Sequence, residues 1–290
     1  AGRDYASADT VKMAGASVLP PIPKDTTDRN RTSPFAFTGN KFEFRMLGSA
    51  MNIACANIML NTAVAESLRQ FADELEGAED FASASALLIK REITAHHRIL
   101  FNGNGYDASW VTEAEKRGLS NLCSTPEALP HYTDDKNVAL FERHVVYTRA
   151  EMNSRQEIQL EEYAKTISIE ALTMVDMIRK DILPACVAYV RELSDTAAAA
   201  QAIGVDTATE VSLARTVSAA SADLLAHLTG IENALHCVPA DADTAGVAAY
   251  YHDTVLAAME VARADADKLE TLLPKKLWPF PTYSDLLFYV

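Results

Sequence analysis

Residues 148–194 read TRAEMNSRQEIQLEEYAKTISIEALTMVDMIRKDILPACVAYVRELS. Through Ile158, Leu160, Tyr163, Ile167, Ile169, Leu172, Val175, Ile178 and Ile182 the apolar residues recur almost unbroken at a helical period. The stretch predicts one very long helix. Pro184 lies inside it and should kink it, because the ring removes a donor and crowds the preceding turn. Downstream, two Ala-rich patterns near 207–236 and 241–272 predict further helices, separated by Val238-Pro239-Ala240-Asp241. Long helices joined by short loops predict an antiparallel bundle.

Upstream the helical pattern reaches back to Ser49, with helices expected over 49–76, 79–102 and 107–118, and a short one after Thr125-Pro126. Asn102-Gly103-Asn104-Gly105 follows a helix rather than a strand, so it reads as a turn and only weakly as a phosphate loop. Residues 1–40 are broken repeatedly by Pro, Gly, Thr and Asp, as in Leu19-Pro20-Pro21-Ile22-Pro23. Lys41-Phe42-Glu43-Phe44-Arg45 then alternates with period two. As a strand it sends Phe42 and Phe44 to one face and the three charged residues to the other. The fold class is therefore mainly α, a short β segment followed by a long-helix bundle. The boundaries fall at 1–48, 49–147, 148–274 and 275–290. The last segment carries Trp278-Pro279-Phe280-Pro281, too apolar to remain undocked.

The chain has 290 residues, 49% hydrophobic and 23% charged, long enough to bury a substantial core. Its 26 Lys+Arg against 40 Asp+Glu leave a net charge of -14, which excludes a general nucleic-acid binder and disfavours anionic membrane surfaces. No segment approaches a bilayer span of roughly 18 apolar residues. Cys55, Cys123, Cys186 and Cys237 show no ligand spacing, which suits a reducing compartment and a cytoplasmic location. The chain opens on Ala1 with no visible leader, as expected of a processed protein or a fragment.

Chemistry concentrates in the strand. Lys41, Glu43 and Arg45 on a shared face would cost on the order of several kcal/mol if buried dry, so they face solvent, a substrate or a metal. Arg29 and Arg31 add two guanidinium groups suited to phosphate and carboxylate. A carboxylate flanked by cations suits one ligand of a phosphate-bridging Mg²⁺ or Mn²⁺; a solvated strand face with ion pairs is the simpler reading of the spacing alone. Other groups offer less. His96 and His97 diverge by about 100° on a helix, and His227 and His236 sit on roughly opposite faces, so all four read as surface or packing residues. No serine or cysteine has a nucleophile-elbow setting. Asp134-Asp135 and Glu161-Glu162 read as solvated or helix-end charges, and the Ala and Leu stripes as core or interface.

Over Thr27-Asp28-Arg29-Asn30-Arg31-Thr32-Ser33-Pro34-Phe35-Ala36-Phe37-Thr38-Gly39-Asn40-Lys41-Phe42-Glu43-Phe44-Arg45 the chain resembles the type III glutamine synthetases, whose catalytic domain contains this run almost letter for letter. Phe101-Asn102-Gly103-Asn104-Gly105-Tyr106, Glu115-Lys116-Arg117-Gly118-Leu119 and Trp278-Pro279-Phe280-Pro281-Thr282-Tyr283 resemble the same family. The resemblance implies that residues 1–48 and 49–147 close and complete a catalytic α/β domain, with the bundle and a docking tail beyond. It implies an ATP-dependent ligase that joins ammonia to glutamate through γ-glutamyl phosphate, with Mg²⁺ or Mn²⁺. It further implies active sites formed between subunits of a dodecamer of two hexameric rings.

By resemblance Glu43 ligates the metal, Arg45 contacts transferred phosphate and substrate, Arg31 neutralises phosphate charge and Lys41 lies near the nucleotide. Phosphoryl transfer needs cations of this kind around three equatorial oxygens. Two departures stand out. Ala36 occupies a position where better-known types carry a second arginine, and Gly48-Ser49-Ala50-Met51-Asn52 replaces Gly-Ser-Ser-Gln-Ser. Family members are far longer, with further metal ligands upstream, so the chain by itself is expected to be inactive and to need the remainder of the polypeptide. Alternatives are a non-catalytic helical oligomerisation module and a related ligase joining glutamate to another amine.

Overall fold

The computed structural model describes residues 10–11, 22–23, 35–37, 42–44, 52–101 and 107–287. Two compact units emerge, Ala1–Asn121 and Leu122–Val290. The molecule is mainly helical, and among the described residues no helix is long and apolar enough to cross a membrane.

In the first unit, β1 (Thr10–Val11) pairs antiparallel with β2 (Ile22–Pro23), and β3 (Phe35–Phe37) with β4 (Phe42–Phe44). Helices α1 (Ala54–Leu75), α2 (Phe81–Ala95) and α3 (Ala108–Lys116) follow. The expected helices over 49–76 and 79–102 are shorter than their apolar patterns. Asn52 accepts from the Ala54 N–H at 2.7 Å to start α1, and Asp80 caps α2 through the Ser83 N–H at 3.1 Å. After α2 the chain tightens into a 3₁₀ turn at His97–Ile99. Arg91 of α2 grips Glu74 of α1 through two 2.8 Å hydrogen bonds, holding that carboxyl below its usual range. Leu68, Phe81, Leu87 and Ile93 are all exposed.

The second unit begins with α4 (Thr125–Ala128), a 3₁₀ turn at Leu129–Thr133 and α5 (Asp135–Arg143). The helix at α5 was not expected from the sequence, where only Val138 and Phe141 mark a buried side. The quoted stretch becomes α6 (Arg149–Met177), a π-helical turn at Ile178–Ile182, and α7 (Leu183–Ala202). Pro184 is accommodated by that wider turn. The Leu183 N–H donates to the Ile178 carbonyl five residues back, so the helix passes the proline without ending. It also runs beyond the expected stop at Ser194, because the four alanines at 197–200 are strong helix formers. It ends where Gly204 adopts φ +78° and the Val205 N–H reaches back to the Ala200 carbonyl.

Thr148 starts α6 with a capping box. Its hydroxyl accepts from the Glu151 N–H at 3.3 Å, and the Glu151 carboxylate accepts from the Thr148 N–H at 2.8 Å. Thr148→Ala should lower the stability of this unit by about 1 kcal/mol, read as an earlier urea midpoint at unchanged m-value.

α8 (Ala208–His236), α9 (Thr244–Tyr250), a π-helical turn at Tyr251–Leu256 and α10 (Ala257–Leu272) complete the packing, with α11 (Tyr283–Leu287) in the tail. Three stripes meet in one core: Ile167, Ala171, Val175, Ile178, Ile182 and Cys186; Val217, Ala220, Leu224, Leu228, Ile231 and Ala234; Val255, Met259, Ala262, Ala266, Leu269 and Leu273. Each repeats at three or four residues, as one face of a helix must. Small Ala residues in every stripe let the helix axes approach closely. Ile158, Ile169 and Leu172, equally apolar in the sequence, lie outside the core at 59%, 65% and 55% exposure.

The tail packs Trp278 and Phe280 against this core, edge to face at 6.0 Å, while Lys276 reaches Glu192 of α7 at 2.8 Å. Lys275 and the Thr282 N–H and hydroxyl all bond Asp285, bringing its carboxyl to about 2. Since the ordinary carboxylate value is 3.8, this contribution is complete above that pH and lost on acidification toward 2. Tail anchoring should therefore hold at pH 4 and above and loosen between about 4 and about 2. Trp278 fluorescence in a Trp110→Phe background checks this; an Asp285→Asn variant should lose the acid step.

Candidate functional site

The strand that the sequence singles out lies in the β3–β4 hairpin. Phe35 faces Phe44, Ala36 faces Glu43 and Phe37 faces Phe42 in the antiparallel register. Glu43 thus holds the central position of β4. Directly opposite it sits Ala36, the position noted above for its missing arginine. Arg31, Lys41 and Arg45 lie outside the described residues, so the structure places only the backbone of one of the four expected site residues.

Elsewhere in the first unit, two of the stretches singled out by the sequence come together. The Phe101 ring stacks on Trp110 at 3.8 Å, and the Arg117 guanidinium lies 5.4 Å from the Trp110 ring centroid. Arg117 also donates to Glu113 at 2.6 Å and to the Leu100 carbonyl at 2.9 Å. Gly118, at φ +73°, ends α3 in a Schellman turn, with the Leu119 N–H donating to the Ala114 carbonyl at 2.9 Å. Arg117 and Trp110 therefore tie α3 to residues 100 and 101. They are committed to architecture.

Histidines behave as their spacing suggests, with one addition. His96 lies 3.4 Å from Glu92, while His227 of α8 meets Asp265 of α10 at 2.5 Å. That second pair joins residues distant in sequence, and helical periodicity on either element carries no sign of it. Asp135 pairs with Arg149 at 2.7 Å, and Glu161 with Lys165 at 2.7 Å. Among the described residues, no three His, Cys, Asp or Glu side chains converge to hold a metal. A groove of about 480 Å³ between α6, α10 and the tail sets apolar residues such as Met174, Met259 and Trp278 beside Glu170, Asp267, Glu270 and Arg263. Three carboxylates against one guanidinium do not suit a polyphosphate.

Residues 84–201 match the glutamine synthetase C-terminal domain. Across 99% of its length the chain is 36% identical to a glutamine synthetase of Butyrivibrio fibrisolvens. The chain belongs with the glutamine synthetases. It is also 38% identical over 94% of its length to the type-3 glutamine synthetase of Dictyostelium discoideum, and 35% identical over 96% to a glutamine synthetase of Bacteroides fragilis. The chain spans only 42%, 38% and 40% of these three glutamine synthetases. The family resemblance read from the run at 27–45 thus extends over nearly the whole chain.

Proposed function

We propose that this chain is the C-terminal part of a type III glutamine synthetase, which uses ATP to join ammonia to glutamate through γ-glutamyl phosphate. One observation carries the reading: similarity to glutamine synthetases runs through almost the entire chain, including a strand with an acid between two cations. The exposed apolar side chains of α1 and α2 support it, since they suit a surface covered in a longer polypeptide.

In this reading residues 1–48 and 49–147 complete the catalytic domain, and 148–274 form an antiparallel bundle closed by the tail. Arg45 and Arg31 hold phosphate and carboxylate oxygens through paired donors. Lys41 offers a point charge near the nucleotide. These cations matter in a chain of net charge -14 whose substrates, glutamate and ATP, are both anions. Glu43 is one oxygen ligand of a Mg²⁺ or Mn²⁺ whose chemistry, when bound, is to draw charge from the phosphates. One carboxylate falls short of the roughly six oxygens such an ion takes, so the other ligands come from the remainder of the polypeptide. The working assembly is a cytoplasmic dodecamer of two hexameric rings.

The test is ATP-dependent glutamine formation by the full-length protein that carries this segment, with and without Glu43→Gln, beside the 290-residue chain alone. Loss in the variant and no product from the short chain are expected. Full activity in the variant would favour the oligomerisation-module reading, and glutamine made by the short chain would overturn the need for the remaining polypeptide.

A further inference from the structure

The outward face of α6 and its π-helical continuation carries a pattern that the monomer does not use. Glu161 pairs with Lys165 at 2.7 Å and Asp176 with Lys180 at 2.6 Å, all four exposed, and between the two pairs stand the exposed Ile169 and Leu172. The steps from 161 through 165, 169, 172 and 176 to 180 are four, four, three, four and four residues. That is one continuous helix face about 29 Å long. The order is a charge-inverting palindrome. Measured from the peptide bond between Glu170 and Ala171, Ile169 mirrors Leu172, Lys165 mirrors Asp176 and Glu161 mirrors Lys180. Ile158, also exposed, extends the apolar line at one end, whereas its mirror position, Leu183, packs partly against the core of its own copy.

A face of this kind is complementary to itself when turned end for end. We propose that this face docks on the same face of a second copy of the chain, the two helices running antiparallel about a two-fold axis that passes between Ile169 and Leu172. Ile169 and Leu172 of one copy then cover Leu172 and Ile169 of the other, removing the exposed apolar centre from water. On either side the two intrahelical ion pairs merge into a four-charge row of alternating sign, Glu161 and Lys165 against Lys180 and Asp176 of the second copy. A parallel arrangement would instead set each charge against its own kind, which selects the antiparallel one. The inference deepens the oligomer part of the function above by naming one contact. It requires no nucleotide or substrate, so its failure would leave the ligase reading standing.

The test uses the full-length protein in a background of Cys55→Ala, Cys123→Ala and Cys237→Ala. Chains bearing Ile169→Cys are mixed with differently tagged chains bearing Leu172→Cys and treated with a short bis-maleimide. Mixed cross-linked dimers are expected to exceed those of either chain alone. Adding Lys165→Glu to both chains should cut their yield about tenfold, since the introduced carboxylate would face Asp176 of the other copy at both ends of the seam. Restoring opposite signs with Lys165→Glu plus Asp176→Lys should recover it. Circular dichroism checks that the helix survives each exchange. No mixed dimer, a yield insensitive to Lys165→Glu, or no recovery in the doubly exchanged chain would each overturn the proposal.

Discussion

Replacing Leu228 with alanine should destabilise the helical unit by about 3–4 kcal/mol, whereas Leu225→Ala, three residues earlier on the same helix, should change it by less than about 0.5 kcal/mol. Leu228 is fully buried between the stripes of α6 and α10, while Leu225 is 52% exposed. Truncating Leu228 forfeits the transfer free energy of three carbons. It also leaves a hole that the close-packed helices around it can fill only in part by relaxing. Urea unfolding followed by circular dichroism measures both variants. Equal effects at the two sites would mean that the stripe running through Val217, Leu224 and Leu228 does not face the core.

The second large effect is on activity. Glu43→Gln in the full-length protein should reduce ATP-dependent glutamine formation by at least about 10²–10³-fold, because the change keeps the shape of the side chain but removes the negative charge that holds a divalent cation. Arg45→Lys keeps its charge and loses the planar fork, so a smaller loss, about 10–100-fold, is expected. Neither substitution should alter the oligomeric mass, since the seam proposed on α6 lies elsewhere. Wild-type rates from Glu43→Gln would leave the strand without a catalytic role. Retained ATP affinity with lost turnover would instead place Glu43 at the transferred phosphate, because uniform binding would survive while transition-state stabilisation would not.

Much of the helical architecture was legible because its cues are local. The helix start expected at Thr148 is the observed N-cap of α6. The long run from Ile158 to Ile182 reads as helix whatever surrounds it. Where the expectation fell short, the missing information was also physical. Pro184 signals a kink by its lost donor, yet whether the strain is met by a bend or a π-helical turn depends on how tightly Ile178 and Ile182 are held in the core. α5 was missed because its nine residues bury only Val138 and Phe141. Ile169 and Val175 share a helix and a hydropathy, but one is 65% exposed and the other 6%.

For the site, the spacing in Lys41-Phe42-Glu43-Phe44-Arg45 favoured a solvated strand face, and it was the family resemblance over 27–45 that turned the reading toward metal-assisted phosphate chemistry. The antiparallel register added the placement of Ala36 opposite Glu43, which no count along the chain could supply.

By itself, the order of amino acids settled that the long segments of the second unit are helical and which family the chain belongs with, since the first depends on neighbours a few positions apart and the second on likeness over the chain's length. Tertiary structure alone decided which of several equivalent apolar stripes became core, on which surface Trp278 and Phe280 dock, and that His227 meets Asp265. Burial and long-range pairing are properties of surfaces brought together. A periodicity shows that a face exists, and only packing shows what covers it.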